Sequence, residues 1–197
     1  MRTTTAIILQ LQPHTDRARV LHTYTRVHGR ANYIVYGVGS KKKGTGAYAP
    51  LSLVELTIRD GHGGKPSVVE QTQLIYVPER TTYDVKRQSV ALFLAELLSR
   101  VLYQPMQDEA LFDYLMTVIT DLDQCDDPEN VHLRAMRGLA ARLGFAIDQE
   151  RYPLLVADPT SRSMRQEQLR GLCNYYADHV DGWRELNSLE ILMEVFD

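Results

Sequence analysis

Cysteine is scarce in this chain: the 197 residues hold two, Cys125 and Cys173, and neither belongs to a Cys-x-x-Cys pair. That argues against a disulfide framework and a cysteine-based zinc site, and it makes a reducing cytoplasm the expected location. Long apolar runs are missing too. None approaches the length that spans a bilayer, and the run after Met1 is too short for a signal peptide. The six histidines, at 14, 22, 28, 62, 132 and 179, fall in no metal-binding spacing. No serine sits in a nucleophile elbow. Paired carboxylates such as Asp126 and Asp127 lie at a helix end, where capping and solvation are their ordinary role. Nothing demands an enzyme, a cofactor or a metal, and a non-enzymatic protein is expected.

What is present is charge, unevenly spread. The net charge is −3, yet residues 1–80 hold 11 Lys+Arg against 5 Asp+Glu, and residues 81–197 hold 11 against 20. A basic part followed by an acidic part suggests two modules with different partners. The basic part carries the loop Gly37-Val38-Gly39-Ser40-Lys41-Lys42-Lys43-Gly44-Thr45-Gly46-Ala47. Three adjacent lysines repel one another, so they are solvated or face an anion. The loop is no nucleotide cradle, because no Gly-Lys-Ser/Thr follows at P-loop spacing.

Short apolar or alternating bursts at 4–11, 19–25, 31–38, 51–59 and 68–77 predict five strands joined by glycine-rich turns, one of them at 60–66. No helix of crossover length separates them, which favours a small OB-type barrel over a parallel sheet. After Thr81 the period turns helical. Helices are predicted over 85–103, 108–124, 131–143 (stopped by Gly144), 163–180 and 184–196, with 146–160 as loop. Ser163 and Gln166 have capping-box spacing. The predicted class is α+β: an OB-fold DNA-binding domain over 1–80, then an all-helical domain over 81–197.

On such a barrel Lys41, Lys42 and Lys43, with Arg19, Arg26 and Arg30 nearby in sequence, are the candidate phosphate contacts. Tyrosines interleave with them. Tyr33 and Tyr36 have opposite parity on one strand, so at most one faces outward. Tyr48, just after the basic loop, is the favoured base-stacking residue. In the acidic half Phe93, Phe112 and Trp183 are candidates to line an apolar groove.

The order of these segments resembles the bacterial DNA repair and recombination protein RecO family. The resemblance rests on Ala6-Ile7-Ile8-Leu9, on Arg19-Val20-Leu21-His22-Thr23-Tyr24-Thr25 followed by His28-Gly29-Arg30-Ala31, and on the glycine-lysine loop. It continues through Pro50-Leu51-Ser52-Leu53-Val54-Glu55-Leu56, Ala95-Glu96-Leu97-Leu98, Leu111-Phe112-Asp113-Tyr114-Leu115, Leu143-Gly144-Phe145 and the run from Glu185 to Phe196. It implies a recombination mediator that binds single- and double-stranded DNA and anneals complementary strands. With RecR such a protein helps load RecA onto DNA coated by single-strand-binding protein, whose acidic C-terminal tail it contacts. A cytoplasmic, nucleoid-associated location goes with that role. The chain departs from the family in lacking the four-cysteine zinc module, and the stretch after Phe145 is short. An acidic tail would need a local basic cluster, for which Lys86, Arg87 and Arg100 are the candidates. The competing reading is a non-enzymatic protein-interaction adaptor whose barrel binds protein instead of DNA.

Overall fold

The computed structural model describes residues 1–38, 46–76, 78–103, 105 and 107–196. Five strands come first: β1 (Arg2–Pro13), β2 (Ala18–Thr25), β3 (Gly29–Tyr36), β4 (Leu53–Arg59) and β5 (Val68–Tyr76). They close into a barrel in the order β1-β2-β3-β5-β4. β4 returns antiparallel to β1, from Arg2 opposite Ile58 to Ile7 opposite Leu53. β3 and β5 run parallel where Ile34 meets Val68. This is an OB-type barrel followed by helices, the class expected from the strand pattern.

Alternation explains the barrel. Ala6, Ile8, Leu21, Tyr33, Val35, Val54, Leu56, Ile58 and Val69 form one buried cluster in its interior. Burying each large aliphatic side chain stabilises the fold by roughly 1.5–3 kcal/mol. The alternation breaks in β1. The β1–β2 register shifts between Ile8 and Gln10, so Leu9 is an extra residue in β1. Before this bulge the even residues of β1 point inward. After it Leu11 faces Leu21, and Gln10 and Gln12 pass to the outer surface.

The helices are α1 (Glu79–Tyr83), α2 (Val85–Val101), α3 (Glu109–Gln124), α4 (Val131–Arg142), α5 (Pro153–Val156), α6 (Arg162–His179) and α7 (Ser188–Val195). Backbone contacts group the chain into two compact units: Met1–Glu79 with Ala95–Asp113, and Arg80–Leu94 with Tyr114–Asp197.

In the first unit, residues 95–113 cover part of the barrel's outside. Tyr24 stacks on Phe112 with ring centroids 6.3 Å apart, and its hydroxyl donates to the Asp108 carbonyl at 3.5 Å. Burial, aided by the Asp108 charge, pushes the Tyr24 phenol up to about 12. Asp108 also caps α3, accepting from the Leu111 amide at 2.8 Å.

The second unit is packed closely around α4 and α6. The Tyr176 hydroxyl donates to Met136 O at 2.7 Å, and that of Tyr114 to Ala135 O at 3.0 Å. A Cβ at position 138 would lie 2.1 Å from the Tyr114 hydroxyl, so any larger residue there forces the Tyr114 side chain to move. Gly144 ends α4 at φ +91°, with the Phe145 amide returning to Ala140 O at 3.0 Å, the expected left-handed helix stop.

Three local expectations change. α1 and α5 are too short for a period to reveal them, and Pro153 starts α5 inside the stretch expected to be loop. Fully buried Gln168 pins that turn by donating to Leu154 O and Ala157 O at 2.7 and 2.8 Å. The cap of α6 is Ser161, which accepts from the Met164 amide at 3.2 Å; Ser163 lies inside the helix.

Candidate nucleic-acid interface

The arginines of the barrel divide by their partners. Arg2 pairs with Asp60 at 2.9 Å and Arg59 with Glu70 at 2.5 Å. Arg26 pairs with Asp113 and lies 4.6 Å over the Phe112 ring. These three are neutralised within their own unit. Arg17, Arg19 and Arg30 have no carboxylate partner among the described residues. Arg17 is exposed on the β1–β2 turn. Arg19 is half-buried at the start of β2, its guanidinium near Thr15 O at 3.5 Å. Arg30 is mostly buried early in β3, and burial lowers its guanidinium to about 10, so it stays charged at neutral pH. Lys65, exposed on the β4–β5 connection, likewise has no carboxylate partner among the described residues.

Lys41, Lys42 and Lys43 lie outside the described residues. The chain enters that stretch from β3 and leaves it at the short 3-10 turn Gly46–Tyr48.

Parity decides the tyrosines. Tyr33 and Val35 face the core, so Tyr36 faces out and is 53% exposed. Tyr48 is corrected: it is 6% exposed, belongs to the barrel core, and shares a 2.9 Å hydrogen bond between its hydroxyl and that of Thr72. A side chain so placed builds the wall and offers no face to a base. The outer aromatic is Tyr36, opposite Ala18 on β2.

Next to it on the outer surface runs a polar row that no sequence motif announces. His22 on β2 stands opposite Asn32 on β3. Its Nδ1 lies 2.8 Å from Asn32 Oδ1, its Nε2 lies 2.9 Å from Gln12 Oε1, and Arg30 Nη2 lies 3.3 Å from the same Nδ1. Burial lowers the His22 pKa below its ordinary value, the Asn32 hydrogen bond opposes this, and the Arg30 charge adds to the lowering.

The proposed partner-contact residues do not form one basic cluster. Arg87 is 2% exposed at its side chain. Its guanidinium donates to Leu122 O and, at 2.6 Å, to Cys125 O, closing the C-terminus of α3. It is a structural cap, which removes it as a surface contact. Lys86 is exposed but held by Glu129 at 3.0 Å and lies 5.4 Å from the Phe196 ring centre. Arg100 pairs with Glu96 at 3.3 Å and belongs to the other unit. Phe93 and Phe112 are buried and line no open groove.

A basic, aromatic-bearing β2–β3 surface on an OB barrel is the geometry that oligonucleotide-binding members of this fold use. The family models agree with the fold. "Recombination protein O N terminal" matches residues 1–77 and "Recombination protein O C terminal" matches residues 82–152. The chain belongs to the RecO family. Among its relatives, "DNA repair protein RecO" of Flavobacterium psychrophilum is 24% identical across 98% of both chains. The protein of the same name from Bacteroides fragilis is 27% identical across 100% of both. That of Phocaeicola vulgatus is 30% identical over 77% of this chain and 64% of its own. The Bacteroides fragilis alignment runs over 241 positions against 197 residues here, which leaves 44 positions of that RecO protein without a counterpart. Among the described residues, no group of three or more His, Cys, Asp or Glu side chains could hold a metal ion, and no helix is long and apolar enough to cross a membrane.

Proposed function

We propose that this RecO-family chain is a non-enzymatic recombination mediator in DNA repair that holds single- and double-stranded DNA on residues 1–80 and meets protein partners through residues 81–197. One observation carries the reading: Arg17 and Arg19, without carboxylate partners among the described residues, flank Ala18, the β2 residue opposite exposed Tyr36, at the end of β3 from which the chain continues toward Lys41–Lys43. A cation with no protein counterion is available to a phosphate, and binding there releases counterions from the nucleic acid. Tyr36 would stack on an unpaired base. Screening the charge of two strands while leaving their bases accessible favours annealing.

The partners that go with this role are RecR, the C-terminal tail of single-strand-binding protein and, through them, RecA. Lys86 is the cation offered to the acidic tail, which must then exchange with Glu129. The adaptor reading keeps the same barrel but expects no DNA affinity.

Fluorescence anisotropy with labelled single-stranded DNA across salt concentrations separates the two. The wild type should bind with a steep salt dependence. Replacing Lys41, Lys42, Lys43, Arg17 and Arg19 with Ala should weaken binding and reduce the slope by about 0.7 for each lost single-strand phosphate contact. Equal affinity and slope in the variant would remove this surface from the mechanism, and no binding by the wild type at low salt would favour the adaptor.

A further inference from the structure

The polar row on the outer barrel surface contains a conflict over one nitrogen. His22 Nδ1 has two neighbours with opposite requirements. Asn32 Oδ1, at 2.8 Å, needs Nδ1 to carry a proton; Arg30 Nη2, at 3.3 Å, needs Nδ1 to accept one. On the other side of the ring, Nε2 donates to Gln12 Oε1 at 2.9 Å under either arrangement.

Two states satisfy these geometries one at a time. With neutral His22, Nδ1 accepts from Arg30, and the guanidinium is engaged inside the protein. With the imidazolium, Nδ1–H donates to Asn32, and Arg30 Nη2 is released to another acceptor. The second state sets two positive charges side by side. No carboxylate pairs with Arg30 or His22 among the described residues, and the groups facing the ring from the neighbouring strands are Gln12 on β1 and Asn32 and Arg30 on β3. The cationic state therefore requires an anion from outside. Gln12 and Asn32 are exposed and His22 is half-exposed, so such an anion can approach.

We infer that Gln12, His22, Asn32 and Arg30 form a phosphodiester subsite on the outer barrel surface, in which anion binding to Arg30 and protonation of His22 Nδ1 occur together. This rests on the DNA-binding reading above and adds the linkage to it. A solvent proton goes to Nδ1, the Nδ1–H bonds to Asn32 Oδ1, and Arg30 Nη2 turns from the ring to a phosphate oxygen. The lowered His22 pKa in the unliganded protein agrees with this order: burial lowers it first, and the Arg30 charge, which a phosphate would neutralise, adds to the lowering. The cluster exists because of the bulge at Leu9. Without it Gln12 would have the opposite parity and point into the core.

The test measures affinity of the full chain for labelled oligodeoxythymidine, whose phosphates and bases do not titrate between pH 8 and pH 6, at constant ionic strength. The wild type should gain about threefold to tenfold more affinity over that interval than His22→Gln, within the limit of tenfold per pH unit set by one proton. Arg30→Gln should be weaker than the wild type at both ends, with the excess pH dependence gone. Parallel pH profiles for wild type and His22→Gln overturn the linkage while leaving DNA binding intact. Absence of wild-type binding at every pH and low salt overturns both. Should His22→Gln fail to fold, the wild-type His22 ring titration followed by NMR decides. Its midpoint should rise when the oligonucleotide is added, and an unmoved midpoint overturns the inference.

Discussion

The barrel and the helical unit use their cations in opposite ways. On the barrel, Arg17, Arg19 and Lys65 have no carboxylate partner among the described residues, so their field is directed outward. In the helical unit several cations are engaged at home. Glu129 holds Lys86 and Arg165, Asp121 holds Arg134, and Arg87 closes the end of α3. A difference in formal charge between two halves of a chain says little until the pairs are known. Here the pairing sharpens it: among the described residues Arg17, Arg19 and Lys65 of the barrel have no carboxylate partner, while Lys86, Arg134 and Arg165 of the helical unit are neutralised by Glu129 and Asp121.

The contrast can be broken at its strongest point. Arg87→Ala should leave α3 carbonyls uncapped in a buried setting and cost about 3 kcal/mol of stability, measured by urea denaturation, whereas Arg19→Ala should cost less than about 0.5 kcal/mol. Similar costs for the two would erase the distinction between structural and available cations.

A second, smaller effect concerns acid. His132 is fully buried in the helical unit, edge-on to Phe93 at 6.0 Å and stacked on Phe196 at 6.1 Å. Burial, with the charges of Arg165, Arg134 and Arg137, holds it down to about 3. Its folded pKa lies below its unfolded value, so the unfolded chain takes up the proton first. The associated stability is complete above about pH 6.5 and declines as pH falls toward 3, at up to about 1.4 kcal/mol per pH unit. Between pH 7 and pH 5 the wild type should lose about 2 kcal/mol more than His132→Leu in denaturation followed by Trp183 fluorescence. Parallel pH profiles would show that this histidine does not govern the acid lability.

The smallest effects separate the two tyrosines. Tyr36→Ala should lower affinity for single-stranded DNA about tenfold, the loss of one stacked base, with stability little changed. Tyr48→Phe should do the reverse: unchanged affinity, and about 1 kcal/mol of stability lost with the hydrogen bond to Thr72. If Tyr48→Phe alone lowered affinity, the assignment of the outer aromatic would be wrong.

Much of this molecule was legible in its residues. Local periodicity located all five strands to within about two residues at each end, since Val54, Leu56 and Ile58 on one face of β4 cannot be satisfied except by a core. Gly144 announced its helix stop, and the resemblance to the RecO family was readable in segments spread along the chain. The missed pieces were short or misread: α1 and α5 hold fewer than two turns, and the Ser163 spacing imitated a cap that Ser161 makes.

The site was legible only as composition. Position after a basic loop suggested Tyr48, but the wall of a closed barrel claimed it, while strand parity turned Tyr36 outward. Proximity on α2 suggested Lys86, Arg87 and Arg100 together, but a helix turns about 100° per residue, and Arg87 faces the end of α3. By itself the sequence determined the family, the sequence of strands followed by helices, and the uneven charge, because these depend on local pattern and composition. Register across β1, β2 and β3, the bulge at Leu9 and the choice of salt-bridge partners were decided by the tertiary structure. Most of these join residues ten or more positions apart: His22 with Gln12 and Asn32, or Arg26 with Asp113, meet only in the folded chain.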